Sequence, residues 1–80
     1  MKLLVRNLSR STTEQEIRIL FSNHGTVNEC NLVLDQATGL SKGFGFVVMP
    51  NEKEAHAALA SLHHMKVANN KIRVKLALDE

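Results

Sequence analysis

The run Lys42-Gly43-Phe44-Gly45-Phe46-Val47-Val48-Met49 constrains this chain more than any other stretch, because it holds two of the three phenylalanines one position apart in a segment of strand composition. Alternation along a strand puts Lys42, Phe44, Phe46 and Val48 on one face and Gly43, Gly45, Val47 and Met49 on the other. Alternation alone leaves either face open as core, since two phenylalanine rings suit an interior at least as well as two glycines do. Lys42 favours exposing the aromatic face, because a lysine is rarely buried without a partner. The glycines favour it further, as a strand face without Cβ atoms admits the close approach of a helix backbone. The expectation is a strand that shows solvent two rings and a cation.

The rest of the chain supplies elements to hold that strand. Lys2 to Arg6 reads as a first strand, with Leu3 and Val5 on one face and Lys2, Leu4 and Arg6 on the other. Thr13 and Glu16 have capping-box spacing, and Ile17, Leu20 and Phe21 follow as an apolar stripe, so a helix is expected from there to an αL cap at Gly25. Ile19 falls off the stripe and is expected at the surface. Glu29 to Leu34 reads as a second strand with Cys30, Leu32 and Leu34 towards the helices and Asn31 and Val33 on the side of the rings. Asp35 to Ser41 has the turn chemistry of a hairpin loop, which makes this strand and the octamer antiparallel neighbours. Pro50 ends the octamer strand, Asn51 with Glu54 offers a second N-cap, and Ala55, Ala58, Leu59 and Leu62 give a second amphipathic helix. Lys71 to Ala77 alternates as a last strand, with Ile72, Val74 and Leu76 inward and Arg73 and Lys75 outward.

Strand, helix, strand, strand, helix, strand is the order of an α+β, ferredoxin-like βαββαβ sandwich: a four-stranded antiparallel sheet with two helices on one face. Two right-handed crossovers would set the first and octamer strands side by side in the middle of the sheet. The length of 80 residues suits one domain, 1–80, with a single core.

The octamer resembles the longer of the two ribonucleoprotein motifs of the RNA recognition motif family, K/R-G-F/Y-G/A-F-V-x-F/Y. Seven positions match, and the last holds Met49, which alternation points into the core. Leu3-Leu4-Val5-Arg6-Asn7-Leu8 is similar to the family's shorter hexamer, with Leu4 where the family has a stacking aromatic. The resemblance runs from Lys2 to Ala77. It implies a module that binds single-stranded RNA, and single-stranded DNA more weakly, as a monomer without cofactor or catalysis. It also implies that His64 stands where the family has a glycine closing the second helix.

Unstacked bases call for flat apolar platforms set among cations. Phe44 and Phe46 are the expected platforms, and Lys2, Arg6, Lys42, Arg73 and Lys75 the expected partners of phosphates or base edges. Leu4, Asn7 and Asn31 complete the expected contact set. Taken singly, such cations read as a solvated sheet face; sharing a face with two rings is what favours contact with nucleic acid.

Other function classes find less support. A net charge of +2 is too small to argue for nucleic acid until the charges are placed. The lone Cys30 reads as a small buried hydrophobe and fits a reducing compartment, and Leu3-Leu4-Val5 is too short for a signal peptide or membrane span. A cytoplasmic protein without membrane contact is expected. Without an Arg/Gly-rich tail, affinity is expected from the domain itself. His56, His63 and His64 do not suit shared ligation: the first two are two helical turns apart, and the adjacent pair is expected to diverge. Gly43-Phe44-Gly45 begins like a dinucleotide fingerprint but lacks its third glycine. Acylphosphatases share the element order, yet the loop in which they cradle an anion is missing after the first strand here. The alternative of a protein-interaction module stands, since some relatives use a degenerate sheet or the helix face in that way.

Overall fold

A computed structural model describes residues 1–77. The last three residues of the expected 1–80 unit lie outside the described residues. The main sheet is built from β1 (Lys2–Arg6), β2 (Glu29–Leu34), β3 (Ser41–Val48) and β6 (Arg73–Leu76), in the order β2-β3-β1-β6 with every pair antiparallel. Helices α1 (Glu14–Ser22) and α2 (Glu52–Leu62) cross between strands, and a small hairpin of β4 (Lys66–Val67) and β5 (Asn70–Lys71) precedes β6. The ferredoxin-like order is as expected, with β1 and β3 central.

Local chemistry explains the helix starts. Thr13 Oγ1 accepts from Glu16 N at 3.1 Å while Glu16 Oε1 accepts from Thr13 N at 2.8 Å, a complete capping box. Asn51 Oδ1 accepts from Glu54 N at 3.0 Å and caps α2. The inward faces close one core: Leu3, Val5, Cys30, Val47 and Val74 from the sheet, with Met49 and Ile72 adjoining its strands, meet Ile17, Phe21, Ala55, Ala58 and Leu62 from the helices. Met49 is fully buried, so its departure from the octamer pattern concerns packing. Burying each such large side chain contributes about 1.5–3 kcal/mol, which fixes the alternation and leaves the opposite sheet face open.

Five details differ from the sequence expectation. The last strand is split, because Asn70 and Lys71 pair with Lys66 and Val67 in a separate hairpin and only Arg73–Leu76 joins the main sheet. Ala68 and Asn69 take φ of 51° and 70°, the two positive values that a tight type I′ hairpin turn needs. Leu34 is 50% exposed. It pairs with Ser41 while Leu32 pairs with Gly45, so two steps along β2 match four along β3 across the bulge at Gly43, φ 87°; the offset is even, so Leu34 keeps the helix side and lines a cleft with Leu32, Thr13 and Glu14 at the open rim of the core.

The glycines of β3 do not receive a helix. A Cβ on Gly45 would lie 2.5 Å from Asn31 O of the neighbouring strand, and one on Gly43 would lie 3.1 Å from Leu8 O. What they admit is backbone from β2 and from the segment after β1. Gly25 is not the αL cap of α1 either: the helix stops at Ser22, Asn23 caps it in the αR region with its N–H on Ile19 O, and the space beside Gly25 is filled by the Glu54 side chain. Finally, His63 and His64 do not diverge. Because α2 ends at Leu62, His63 is extended and His64 takes the αL conformation, φ 70°, which stacks their rings at 3.8 Å and 29°.

Candidate nucleic-acid interface

The open sheet face is laid out by strand register. Phe46 lies directly across from Leu4 on one side and Asn31 on the other, and Leu4 in turn faces Lys75, so Asn31, Phe46, Leu4 and Lys75 form one cross-strand row. Directly opposed residues hold their Cβ atoms about 4.5–5.5 Å apart, so these side chains make a continuous surface. Phe44, Phe46 and Leu4 are half-buried, while Lys2, Arg6, Asn31, Lys42, Arg73 and Lys75 are exposed. The rings are therefore partly packed and partly open to solvent.

The two rings stand edge to face, centroids 6.5 Å apart and planes at 84°. Two rings at right angles cannot both present their faces to parallel planar groups. Lys2 Nζ sits over the Phe46 ring, 4.5 Å from its centroid. A cation in that position is held by the quadrupole of the ring and covers one of its faces.

Arg6 and Arg73 pair directly across β1 and β6. Like charges opposed in this way destabilise a sheet slightly, and an anion bound between them would relieve the repulsion. At the same end of the sheet, on the other side of β1, Lys42 and Phe44 border a cleft of about 420 Å³ that is also lined by Arg10, Asp35 and Leu40.

Two features escape sequence reasoning. Arg10 joins the surface because Leu8 N donates to Gly43 O at 2.8 Å and pins the segment after β1 beside β3, a long-range contact with no local signature. Asn7, expected as a base reader, has a task within the fold. With φ 60° its Nδ2 donates to Lys71 O at 2.7 Å, and its carbonyl accepts from Asn70 Nδ2 at 3.3 Å, so it ties the end of β1 to the small hairpin. Among the described residues no three His, Cys, Asp or Glu side chains come together to hold a metal, and no helix is long and apolar enough to cross a membrane.

Comparison with known proteins bears on this surface. The family model described as RNA recognition motif matches residues 3–73. The chain is 38% identical over 76 residues to glycine-rich RNA-binding protein 1 of Mycosarcoma maydis, covering 95% of this chain and 43% of that one. It thus spans less than half the length of that relative. Among solved structures, RNA binding protein PG1 superposes with a TM-score of 0.95 at 34% identity, covering 100% of this chain and 96% of that one. A Sxl-lethal protein/RNA complex superposes with a TM-score of 0.93 at 30% identity, covering 99% of this chain and 47% of that one.

Proposed function

The chain belongs to the RNA recognition motif family, and from that premise we propose that it binds single-stranded RNA across the open face of its sheet and performs no catalysis. The observation that carries the reading is the row through Phe46, in which a half-exposed ring is flanked by Leu4 and Asn31 within a field of exposed lysines and arginines. A base stacks on Phe46 and displaces the Lys2 ammonium, which then turns to a phosphate. Phe44, edge-on to it, packs against the adjoining ribose or base. Each ring contributes about 1–3 kcal/mol as judged from alanine substitution at comparable sites. Arg6, Lys42, Arg73 and Lys75 take phosphates, Asn31 reads a base edge beside Phe46, and Asn7 acts chiefly by holding the hairpin in place.

DNA of the same sequence is expected to use the same rings with lower affinity, since it lacks the 2′-hydroxyl contacts. Fluorescence anisotropy with a labelled random RNA octamer tests the reading. Wild type should bind, and the double variant Phe44→Ala/Phe46→Ala should bind far more weakly. Equal binding by a folded double variant would refute it.

A further inference from the structure

The edge of the sheet at β6 carries a second constellation. A cleft of about 240 Å³ is lined by Arg6, His63, His64, Arg73, Val74 and Lys75, with no carboxylate among them. We propose that this cleft is a phosphate site at which the RNA backbone leaves the sheet, and that His64 tightens its grip on taking up a proton. The proposal rests on the reading of the open face as an RNA surface and extends it around the edge strand.

The two histidines have different tasks. Val74 N donates to His63 Nδ1 at 3.0 Å, so that nitrogen is an acceptor and the ring carries its proton on Nε2. His63 is thereby fixed in orientation by the edge strand itself. His64 is stacked on it at 3.8 Å and held by its own N–H on Ile72 O at 2.7 Å, with its side chain exposed. Among the described residues the His64 ring is held by no side-chain hydrogen bond, so it can take up a proton without breaking one.

The groups around His64 come from every neighbouring element: His63 at the end of α2, Lys71 on β5, Arg73 and Lys75 on β6, and Arg6 on β1. His63 first, then loss of water, then Lys71 and Arg73, hold its pKa below the ordinary 6.5. In the free protein the ring is therefore neutral near pH 7, and it protonates only at lower pH. A phosphate placed among these cations reverses the local field and favours the imidazolium. Binding then takes up a proton, and by linkage affinity rises as the pH falls through the histidine range.

The test compares affinities at pH 7.5 and pH 5.5 for a labelled random RNA octamer, using wild type and His64→Asn, since asparagine tolerates positive φ. Wild type should bind roughly threefold to tenfold more tightly at the lower pH, the scale of one neighbouring charge acting on one histidine, and the variant should lose most of that gain. An equal gain in both, with the variant shown to be folded by its melting curve, would overturn the proposal and leave RNA binding intact. Absence of wild-type binding at either pH would instead remove the RNA reading. The site itself is then decided by NMR titration of the histidine rings of wild type in sulfate, an oxyanion whose charge is constant over this range. Sulfate should move the His64 midpoint upward and leave that of His24, outside the cleft, in place; an unmoved His64 would overturn the site. The sulfate arm needs no variant.

Discussion

Replacing Leu4 with tyrosine should strengthen RNA binding, and the sheet register sets the size of the gain. Leu4 is half-buried on β1, opposite Phe46 and Lys75, at the centre of the row that forms the floor of the face. Leucine offers a base or sugar an apolar contact but no π face. A tyrosine ring rooted at the same Cβ would lie beside Phe46 and add a platform. A full stacking platform is worth about 1–3 kcal/mol, and the lost leucine contact offsets part of it, so a net gain of about 0.5–1.5 kcal/mol is expected. That corresponds to roughly a two- to tenfold lower Kd. The gain should appear mainly in the dissociation rate, as most changes within one interface do. An aromatic pair across antiparallel strands contributes a further few tenths of a kcal/mol to about 1 kcal/mol of stability, so Tm should hold or rise and fold damage will not mask the effect. Surface plasmon resonance with one short RNA, alongside a melting curve, measures both. Unchanged affinity in a folded Leu4→Tyr protein would mean that nucleic acid does not cross β1, and would favour the protein-interaction reading.

Phe44→Ala and Phe46→Ala should each weaken RNA binding by about 1–3 kcal/mol, while their stability loss stays below the 3–5 kcal/mol of a buried phenylalanine; a melting curve showing the full core cost would contradict the open-face assignment. Affinity should fall with salt at a log-log slope of roughly −2 to −3, about −0.7 for each of three or four phosphates met by cations, and a flat response would remove those contacts. Burial raises the Cys30 thiol above its ordinary 9.0, with Arg18 opposing and Glu14 reinforcing the shift. Folding therefore favours the protonated form: its contribution is complete below the unfolded thiol's pKa and is lost as the pH rises through the folded value. Cys30→Ala should accordingly flatten the alkaline fall in Tm, and a fall identical to wild type would show that another group causes it.

The alternation in β1 and β3, both capping sites and the apolar stripes of the helices were legible because each is a local pattern with one physical meaning. Which face of β3 is open was legible only by inference from Lys42 and the glycines. Gly45 does lie on the core side, but what it admits is the backbone of β2 and no helix. Leu34 keeps the helix side that alternation gives it, since the offset at Gly43 is even, but alternation does not tell that this end of β2 lies at the open rim of the core. The β4–β5 hairpin was hidden because Ala68 is a poor advertisement for a turn that needs positive φ, although Asn69-Asn70 beside it was a usable signal. The stacking of His63 on His64 depends on where α2 ends, and one further residue of helix would have sent the rings apart. Arg10 reaches the face through a tertiary contact that no local pattern encodes.

The most direct test of the central claim is a 15N-edited NMR titration of the intact chain with a pool of random short RNAs. The amides of Lys2, Leu4, Phe44, Phe46 and Lys75 should shift progressively, together with the Asn31 side-chain amide, while the outward faces of α1 and α2 stay unmoved. Shifts confined to the helices, or no shifts at RNA concentrations that saturate other members of the family, would contradict the assignment of the open sheet as an RNA surface.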